Sequence, residues 1–152
     1  MSKRYQSGFS LIELIVVIFI LAVGLCSVAS LFIAGMVSSR QAQRMSAATY
    51  EAQRQLERMR SAGFNGCLVD SDIFTTAEGY TIVEVQPDKT GILSFPVPQL
   101  PEGQGLAEIR YYDPGTGAYP NLKVITITIS WVGGRPTSGQ TVLTSFIANR
   151  PA

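Results

Sequence analysis

The chain has 152 residues and a mass of 16.4 kDa, which is enough for one domain of ordinary size. Its 12 basic and 11 acidic side chains argue against a nucleic-acid binder that works through bulk charge. With no histidine and two cysteines, the usual zinc sites and histidine-based catalytic triads are excluded, and no cofactor is predicted. The composition indicates a small membrane-attached or exported protein and not an enzyme.

A short basic leader precedes a long apolar segment. Residues 1–8 (MSKRYQSG) include Lys3 and Arg4, whereas the 26 residues from Leu14 to Ser39 carry no charge. As a helix the uncharged segment would be about 39 Å long, and the hydrocarbon layer of a bilayer is about 30 Å thick. The sequence therefore predicts a helix that can cross a membrane with some tilt, and a basic leader before it is also the general form of an export signal.

Three ordinary interpretations of this segment stay open from its residues. A signal peptidase could cut after Ala29, because Ser27-Val28-Ala29 fits a small-x-small site. A lipoprotein could use Cys26, although Leu25 before it is larger than such sites need, and the segment could be a plain anchor. None of these explains Glu13, because a carboxylate costs about 2.5–3.5 kcal/mol at the membrane centre and less near an interface. Glu13 is therefore a candidate functional residue, with an acid resting in the headgroup region as the alternative.

The residues around Glu13 resemble the signature of type IV prepilins, the family of type IV pilins and of the pseudopilins of type II secretion. Gly8-Phe9-Ser10-Leu11-Ile12-Glu13 follows the basic leader and opens the apolar run in the family's register. The resemblance implies that prepilin peptidase cuts between Gly8 and Phe9 and methylates the Phe9 amine, and that Glu13 guides assembly. It implies a single-pass protein of the bacterial inner membrane, with its head in the periplasm or outside, that later enters a filament.

The charges of Glu13 and of the new N-terminal amine agree with this role. The new α-amino group has a reference pKa of about 8 and keeps its charge after methylation. A helix entering a filament can offer this amine to Glu13 of a neighbour, and in apolar surroundings the pair is strongly favoured over either stranded charge. The charge bias of the flanks is ambiguous, because Arg40 and Arg44 follow the segment, so the motif decides the orientation.

The resemblance also implies the partners. These are prepilin peptidase, other pilin or pseudopilin subunits, the inner-membrane assembly platform and, before assembly, membrane lipid.

Beyond Ser39 the helix is predicted to continue as an amphipathic stalk. Side chains at three- and four-residue steps form an apolar stripe of Met45, Ala48, Ala52, Leu56 and Met59. The charged side chains are predicted to lie largely off this stripe, with Glu51 and Arg54 in an i,i+3 pair. No proline interrupts residues 9–62, and Gly63 supplies the stop, which predicts a helix of about 54 residues and about 80 Å.

The arginines of this stalk allow a second function, namely a DNA-binding strip as in competence pilins. Without Lys3 and Arg4, 10 basic side chains face 11 acidic ones, so nucleic acid is not indicated as a partner. We therefore favour a solvated helix face for the arginines, which are Arg40, Arg44, Arg54, Arg58 and Arg60.

Residues 64–152 are predicted to form a β-rich head. Turn signals at Pro87-Asp88, at Asp113-Pro114-Gly115 and at residues 133–136 separate candidate strands over 80–86, 91–95, 107–112, 122–132 and 141–148. In the strongest candidate, more polar residues alternate with the apolar set Ile125, Ile127, Ile129 and Trp131, so that one face would lie on the helix.

The predicted fold is α+β and pilin-like. A long N-terminal helix, transmembrane in its first half and amphipathic in its second, packs on a C-terminal antiparallel sheet of four or five strands. The predicted division is a leader (1–8), a transmembrane or filament-core helix (9–39), an amphipathic helix continuing into the head (40–63) and the head itself (64–152).

The closing hairpin, with Trp131 before the turn and TSFIANR after it, resembles minor pilins of the V type and minor pseudopilins of the I type. The helix phrase ILAVGL resembles the same subgroup. The chain lacks the helix proline of many major pilins, which also favours a minor subunit. The alternatives are a DNA-binding or adhesive competence-type pilin and an exported periplasmic protein with an ordinary signal peptide.

The remaining candidate chemistry is limited. Along a continuous helix Cys26 and Cys67 would stand about 60 Å apart, beyond disulfide reach, so Cys67 is either buried or able to crosslink. Asp70-Ser71-Asp72 is a fragment of a calcium loop without its glycine turn and distal acid, and it is predicted to be a solvated loop. The aromatic residues Tyr111, Tyr112 and Trp131 are predicted to serve packing.

Overall fold

A computed structural model of the chain describes residues 10–69, 79–115, 117–133 and 138–149. These form helix α1 (Leu11–Ser61), a single helical turn α2 (Gly63–Gly66) and strands β1 (Thr81–Val85), β2 (Gly91–Pro96), β3 (Gln104–Tyr112), β4 (Tyr119–Trp131) and β5 (Gly139–Ala148). The described residues fall into two compact units that divide between Gln41 and Ala42. The Asp70-Ser71-Asp72 segment and most of the predicted turn at 133–136 lie outside the described residues.

Helix α1 is uninterrupted over 51 residues, which confirms the predicted long helix. The Ser10 carbonyl accepts hydrogen bonds from the backbone N–H groups of Glu13 (3.0 Å) and Leu14 (3.2 Å) and so closes the first turn. The helix stops where Gly63 adopts a φ of +71°, a left-handed conformation that glycine enters without a Cβ penalty. The predicted stop signal therefore acts at the predicted residue.

The five strands form one antiparallel sheet in the order β1-β2-β3-β4-β5, so each strand pairs with its neighbour in the chain. This confirms the α+β fold with a five-stranded sheet. Strands β3 and β4 begin three residues before the predicted bounds, because Gln104 pairs with Ser130 and Tyr119 with Tyr112 across the ladder. Cross-strand pairing of this kind is decided by the neighbouring strand and not by local propensity.

The two predicted turns that lie within the described residues do form. In the β1–β2 turn, the Asp88 carboxylate accepts hydrogen bonds from the Thr90 backbone N–H (3.1 Å) and hydroxyl (2.6 Å). After β3, the Asp113 carboxylate accepts from the Gly115 N–H at 2.7 Å. Side chains of this type satisfy the backbone groups that a turn leaves unpaired.

The core lies between the inner face of the sheet and residues 48–59 of α1. Ile125, Ile127 and Ile129 are fully buried, so the predicted alternation of β4 is confirmed. The helix contributes Ala48, Ala52, Leu56 and Met59 to the same cluster.

Two assignments on the helix stripe are wrong. Glu51, predicted to lie off the stripe, is buried together with Gln55, whereas Met45 is 50% exposed. The buried face of a helix is at least about 100° wide, so it takes in a second column of positions, 51 and 55, beside the apolar one. The predicted ion pair of Glu51 with Arg54 does form, with 3.5 Å between the carboxylate oxygen Oε2 and the guanidinium nitrogen Nη1.

Two glycines of the sheet lie under aromatic rings of the adjacent strand. Gly105 is the register partner of Phe95, and a Cβ built on Gly105 would lie 2.2 Å from the Phe95 ring. Gly139 pairs with Trp131, and its Cβ would lie 2.1 Å from that indole ring. Both rings are buried, which confirms that Trp131 serves packing.

Candidate functional site

Glu13 occupies the first turn of α1 and is exposed in the isolated chain. It is the one charged side chain between Leu11 and Ser39. In the described part of the chain its carboxylate has no ion-pair partner. The positive end of the helix dipole favours an anion in this turn, but an exposed acid in an apolar helix calls for a cationic partner from elsewhere. The two residues predicted to precede it in the site, Gly8 and Phe9, lie outside the described residues.

The helix segment that carries Glu13 is apolar and uncovered. Every residue from Leu11 to Gln43 is exposed, and the large apolar side chains between Leu11 and Val37 are 44–77% exposed. A continuous apolar surface of this size marks a membrane or an interaction surface. Within the described residues, α1 is long and apolar enough to cross a membrane by its length and composition.

The polar side chains of the apolar segment bond back to their own helix. The hydroxyl of Ser27 donates to the Val23 carbonyl, and the hydroxyl of Ser30 donates to the Cys26 carbonyl, each at 2.9 Å. These hydroxyls therefore need no partner from lipid or from another helix. The Glu13 carboxylate differs from them because nothing in its own helix satisfies its charge.

Two glycines open the surface of the same segment. A Cβ at Gly24 or at Gly35 would meet nothing within 4 Å, so neither glycine is required by packing inside this chain. Gly35 lines a shallow apolar groove with Val28, Leu31, Phe32, Met36 and Ser39. Small residues at such positions let the backbone of another helix approach closely.

A buried lysine that sequence analysis missed lies at the other end of α1. The Lys123 Nζ atom donates to the carbonyls of Phe64 (2.9 Å) and Cys67 (3.0 Å), and it lies 4.6 Å from the centroid of the Phe64 ring. Burial lowers the pKa of Lys123, while the charges of Cys67 and Asp88 act against this shift. Lys123 lies two residues before Ile125 on the same strand, so the alternation of side chains places both on the inner face of the sheet. This alternation is the feature of the sequence from which the burial of Lys123 could have been predicted.

The cysteines are both free, and Cys67 is fully buried, which settles the predicted alternative of burial or crosslinking in favour of burial. Burial raises the pKa of the Cys67 thiol to about 11, against a smaller lowering by Lys123. The thiol is therefore protonated and unreactive at neutral pH. Cys26 is exposed on the apolar segment.

Three arginines of the stalk and sheet, Arg54, Arg60 and Arg110, pair with acids. Arg60 pairs with Glu57 at 2.9 Å and also donates to the Ser145 hydroxyl through Nε (3.0 Å) and Nη2 (2.7 Å). Arg110 pairs with Glu108 at 2.8 Å. Charge that is neutralised in this way attracts phosphates weakly. Among the described residues, no group of three potential metal-ligating side chains comes together.

Comparison with known proteins gives one match. The family described as "Prokaryotic N-terminal methylation motif" matches residues 3–25, a segment that contains Gly8, Phe9 and Glu13. No curated protein and no solved structure matches the chain. The match therefore covers the leader and the first part of the apolar helix and leaves the β-rich head to be interpreted from its own structure.

Proposed function

We propose that this chain, a type IV prepilin-like protein, is a structural subunit of a type IV pilus or type II secretion filament, and specifically a minor pilin or pseudopilin. The observation that carries the proposal is the methylation motif at residues 3–25 in register with an uncovered apolar helix. The motif implies a precursor that prepilin peptidase processes and that then joins other subunits. The finer assignment to a minor subunit rests on the arguments below.

The first step is processing of the precursor. Prepilin peptidase cuts between Gly8 and Phe9, removes Lys3 and Arg4 with the leader, and methylates the Phe9 amine. Cleavage places a new cation four residues before Glu13, which is one helical turn. The methylated amine stays protonated at neutral pH because its reference pKa is about 8.

The second step is the setting of register. Glu13 is the one charged side chain of the apolar segment, and no described residue pairs with it. As a subunit leaves the membrane, its Phe9 amine meets Glu13 of the preceding subunit. Because breaking a buried ion pair costs about 3–5 kcal/mol, a displaced register is strongly disfavoured. Glu13 thus fixes the axial position of each subunit, and its effect does not depend on the head.

The third step is cohesion. Before assembly, lipid covers the apolar side chains that are exposed between Leu11 and Val37, and the chain is a single-pass protein of the inner membrane. In the filament, helices of neighbouring subunits replace the lipid, and Gly24 and Gly35 allow close contact. The head stays in the periplasm or outside, and the inner-membrane assembly platform supplies the extraction.

The assignment to a minor subunit is supported by the uninterrupted helix. Many major pilins carry a proline that breaks this segment, whereas α1 continues without a break from Leu11 to Ser61. The pairing of Arg54, Arg60 and Arg110 with acids favours this structural role over a DNA-binding one. Quantitative mass spectrometry of sheared filaments tests the assignment. We expect far fewer copies of this chain than of the major subunit, and equal copy numbers would refute it.

The decisive test of the precursor assignment is the N-terminus of the membrane-extracted protein, by intact mass and N-terminal fragment sequencing. We expect a chain that begins at Phe9 with one added methyl group. A chain that begins at Ser30, at a lipidated Cys26 or at Met1 would overturn the proposal. Gly8→Asp is expected to leave the leader attached, and its efficient processing would count equally against the assignment.

The role of Glu13 is tested by Glu13→Ala in filaments sheared from cells. We expect the variant to be processed and membrane-bound but absent from the filaments, because the amine of the next subunit has no acid to meet. The matched control is Glu84→Ala, which removes an exposed acid of β1 and should be incorporated normally. Normal incorporation of Glu13→Ala would remove the register role assigned to this residue.

A further inference from the structure

A small pocket of about 300 Å³ lies between α1 and the loop that follows β2. Its apolar walls include Tyr80, Phe95 and Pro98, and its polar lining consists of Glu51, Gln55, Gln99 and the cationic side chain of Arg54. The volume corresponds to about ten water molecules, which is room for the head group of one side chain together with water and lies at the lower end of the range for small-ligand sites. We refer to it as the Glu51 pocket.

A chain of hydrogen bonds with a fixed direction ends on this pocket. The Tyr80 hydroxyl donates to Oε1 of Gln55, and Nε2 of Gln55 donates to Oε1 of Glu51 at 2.6 Å. Because an amide oxygen accepts and an amide nitrogen donates, the Tyr80 hydroxyl and one N–H of Gln55 both point along the chain towards the carboxylate. The chain therefore delivers one hydrogen bond to Glu51 and leaves the second carboxylate oxygen to another donor.

That second oxygen, Oε2, is buried and has no hydrogen-bond partner among the described residues. The side chain of Glu51 is only 8% exposed, so bulk water does not solvate the carboxylate as it does an exposed acid. Arg54 approaches Oε2 at 3.5 Å through a side chain that is 53% exposed, which offsets part of the charge but leaves the acceptor unfilled. A buried acceptor without a donor costs about 1–3 kcal/mol, and more when it is charged.

The occupant that fits must therefore bring N–H donors and a flat apolar surface. A guanidinium group has planar donors matched to a carboxylate, and it stacks on aromatic rings. The Tyr80 and Phe95 rings, 5.3 Å apart between centroids and tilted by 49° to each other, line the pocket beside the carboxylate, and the less buried Tyr80 ring offers the face for stacking. We infer that the Glu51 pocket binds an alkylguanidinium, the chemistry of an arginine side chain presented by another protein chain.

The identification of that other chain as a neighbouring filament subunit rests on the proposed function. Binding of the guanidinium itself does not, because the described lining of the pocket comes from residues 51–55 and 80–99 of one chain and needs no filament. A small probe can therefore test the site even if the N-terminal processing fails.

The test is a titration of the full chain in non-ionic detergent micelles with n-butylguanidinium, followed by the NMR signals of the Gln55 and Gln99 side-chain amides. We expect saturable shifts of both signals. Glu51→Gln keeps the shape of the side chain but removes its charge, and it should weaken binding about tenfold or more, as expected for a charge-assisted hydrogen bond. The matched control, Glu57→Gln, removes an exposed acid of the same helix and should change affinity less than about twofold.

Three results would overturn the inference. These are the absence of saturable shifts in the wild-type chain, equal affinities of Glu51→Gln and Glu57→Gln, and equally tight binding of the uncharged probe butyramide. In the first case the pocket binds no guanidinium, in the second the charge of Glu51 does not hold it, and in the third the pocket takes a neutral donor.

Gln99→Lys is a second test of the site in case Glu51→Gln does not fold. Gln99 lines the same pocket and is exposed, so its replacement should not disturb the fold. This added cation should also weaken the binding of butylguanidinium about tenfold, and unchanged affinity would overturn the site. Fluorescence of Trp131, the one tryptophan of the chain, reports whether each variant is folded.

Discussion

The buried Lys123 offers the sharpest test of how the end of α1 is held on the sheet. Its ammonium group supplies the hydrogen bonds to the Phe64 and Cys67 carbonyls, which follow the helix stop at Gly63. Lys123→Met keeps a side chain of similar length and removes the charge and the donors. We expect this variant to unfold more easily than the wild type, because two carbonyls would lose their partner in a region that water does not reach freely.

The expected change in the free energy of unfolding is the difference between the interactions that Lys123→Met loses and the desolvation cost that it removes. Two acceptors left without donors cost about 1–3 kcal/mol each, and the lost contact with the Phe64 ring, 4.6 Å from Nζ, costs about 1 kcal/mol. Removing a buried ammonium returns several kcal/mol of desolvation free energy, consistent with the lowered pKa of Lys123. At the middle of these ranges the lost interactions amount to about 5 kcal/mol and the returned desolvation to about 3 kcal/mol, so the free energy of unfolding should fall by about 2 kcal/mol.

Urea unfolding of the full chain in detergent, followed by Trp131 fluorescence, measures this change, because Trp131 is buried in the head. Gln53→Met serves as control, since it introduces the same methionine at an exposed position of α1 and should change the free energy by less than about 0.5 kcal/mol. A Lys123→Met variant as stable as the wild type, or more stable, would refute the reasoning. The desolvation of the ammonium would then outweigh the hydrogen bonds it makes.

Two further predictions concern the head. The pKa of the buried Cys67 is raised from 9.0 to about 11, so the native thiol keeps its proton where the unfolded chain has lost it. The part of the stability that depends on the protonated thiol is complete below pH 9 and falls by about 2–3 kcal/mol as the pH rises to 11. Urea unfolding across this range should therefore show that the wild type loses this much more stability than Cys67→Ser, in which the other titrating groups are unchanged. Gly139→Ala should cost about 1–3 kcal/mol, because the new methyl group would lie 2.1 Å from the Trp131 ring, whereas Gly24→Ala, with open space around it, should leave the unfolding of the head unchanged. A Gly139→Ala variant with wild-type stability and Trp131 emission would show that the ring moves aside freely.

The N-terminal signature was readable because it is a linear pattern. A basic leader, Gly8, Phe9 and Glu13 in register with an apolar run match the N-terminal methylation motif and predict a helix without any long-range contact. The same holds for the extent of α1, where no proline intervenes before Gly63, and for the alternation of β4. These features depend on neighbours within a few residues, so local physics determines them.

The tertiary structure decided what the same side chains meet. The helical period of the sequence indicated which face of α1 is apolar. The sheet decided how wide the buried face is, so that Glu51 is buried and Met45 is half exposed. Lys123 contacts the end of the helix only because the fold brings it to Phe64 and Cys67, which precede it in the chain by 59 and 56 positions. Gly105 and Gly139 are required because rings from paired strands cover them, a contact that register alone creates. The local pattern of residues thus determined the helices, the strands and the methylation motif. Packing between distant segments determined which polar groups are buried, including the carboxylate oxygen Oε2 of Glu51, which has no hydrogen-bond donor among the described residues.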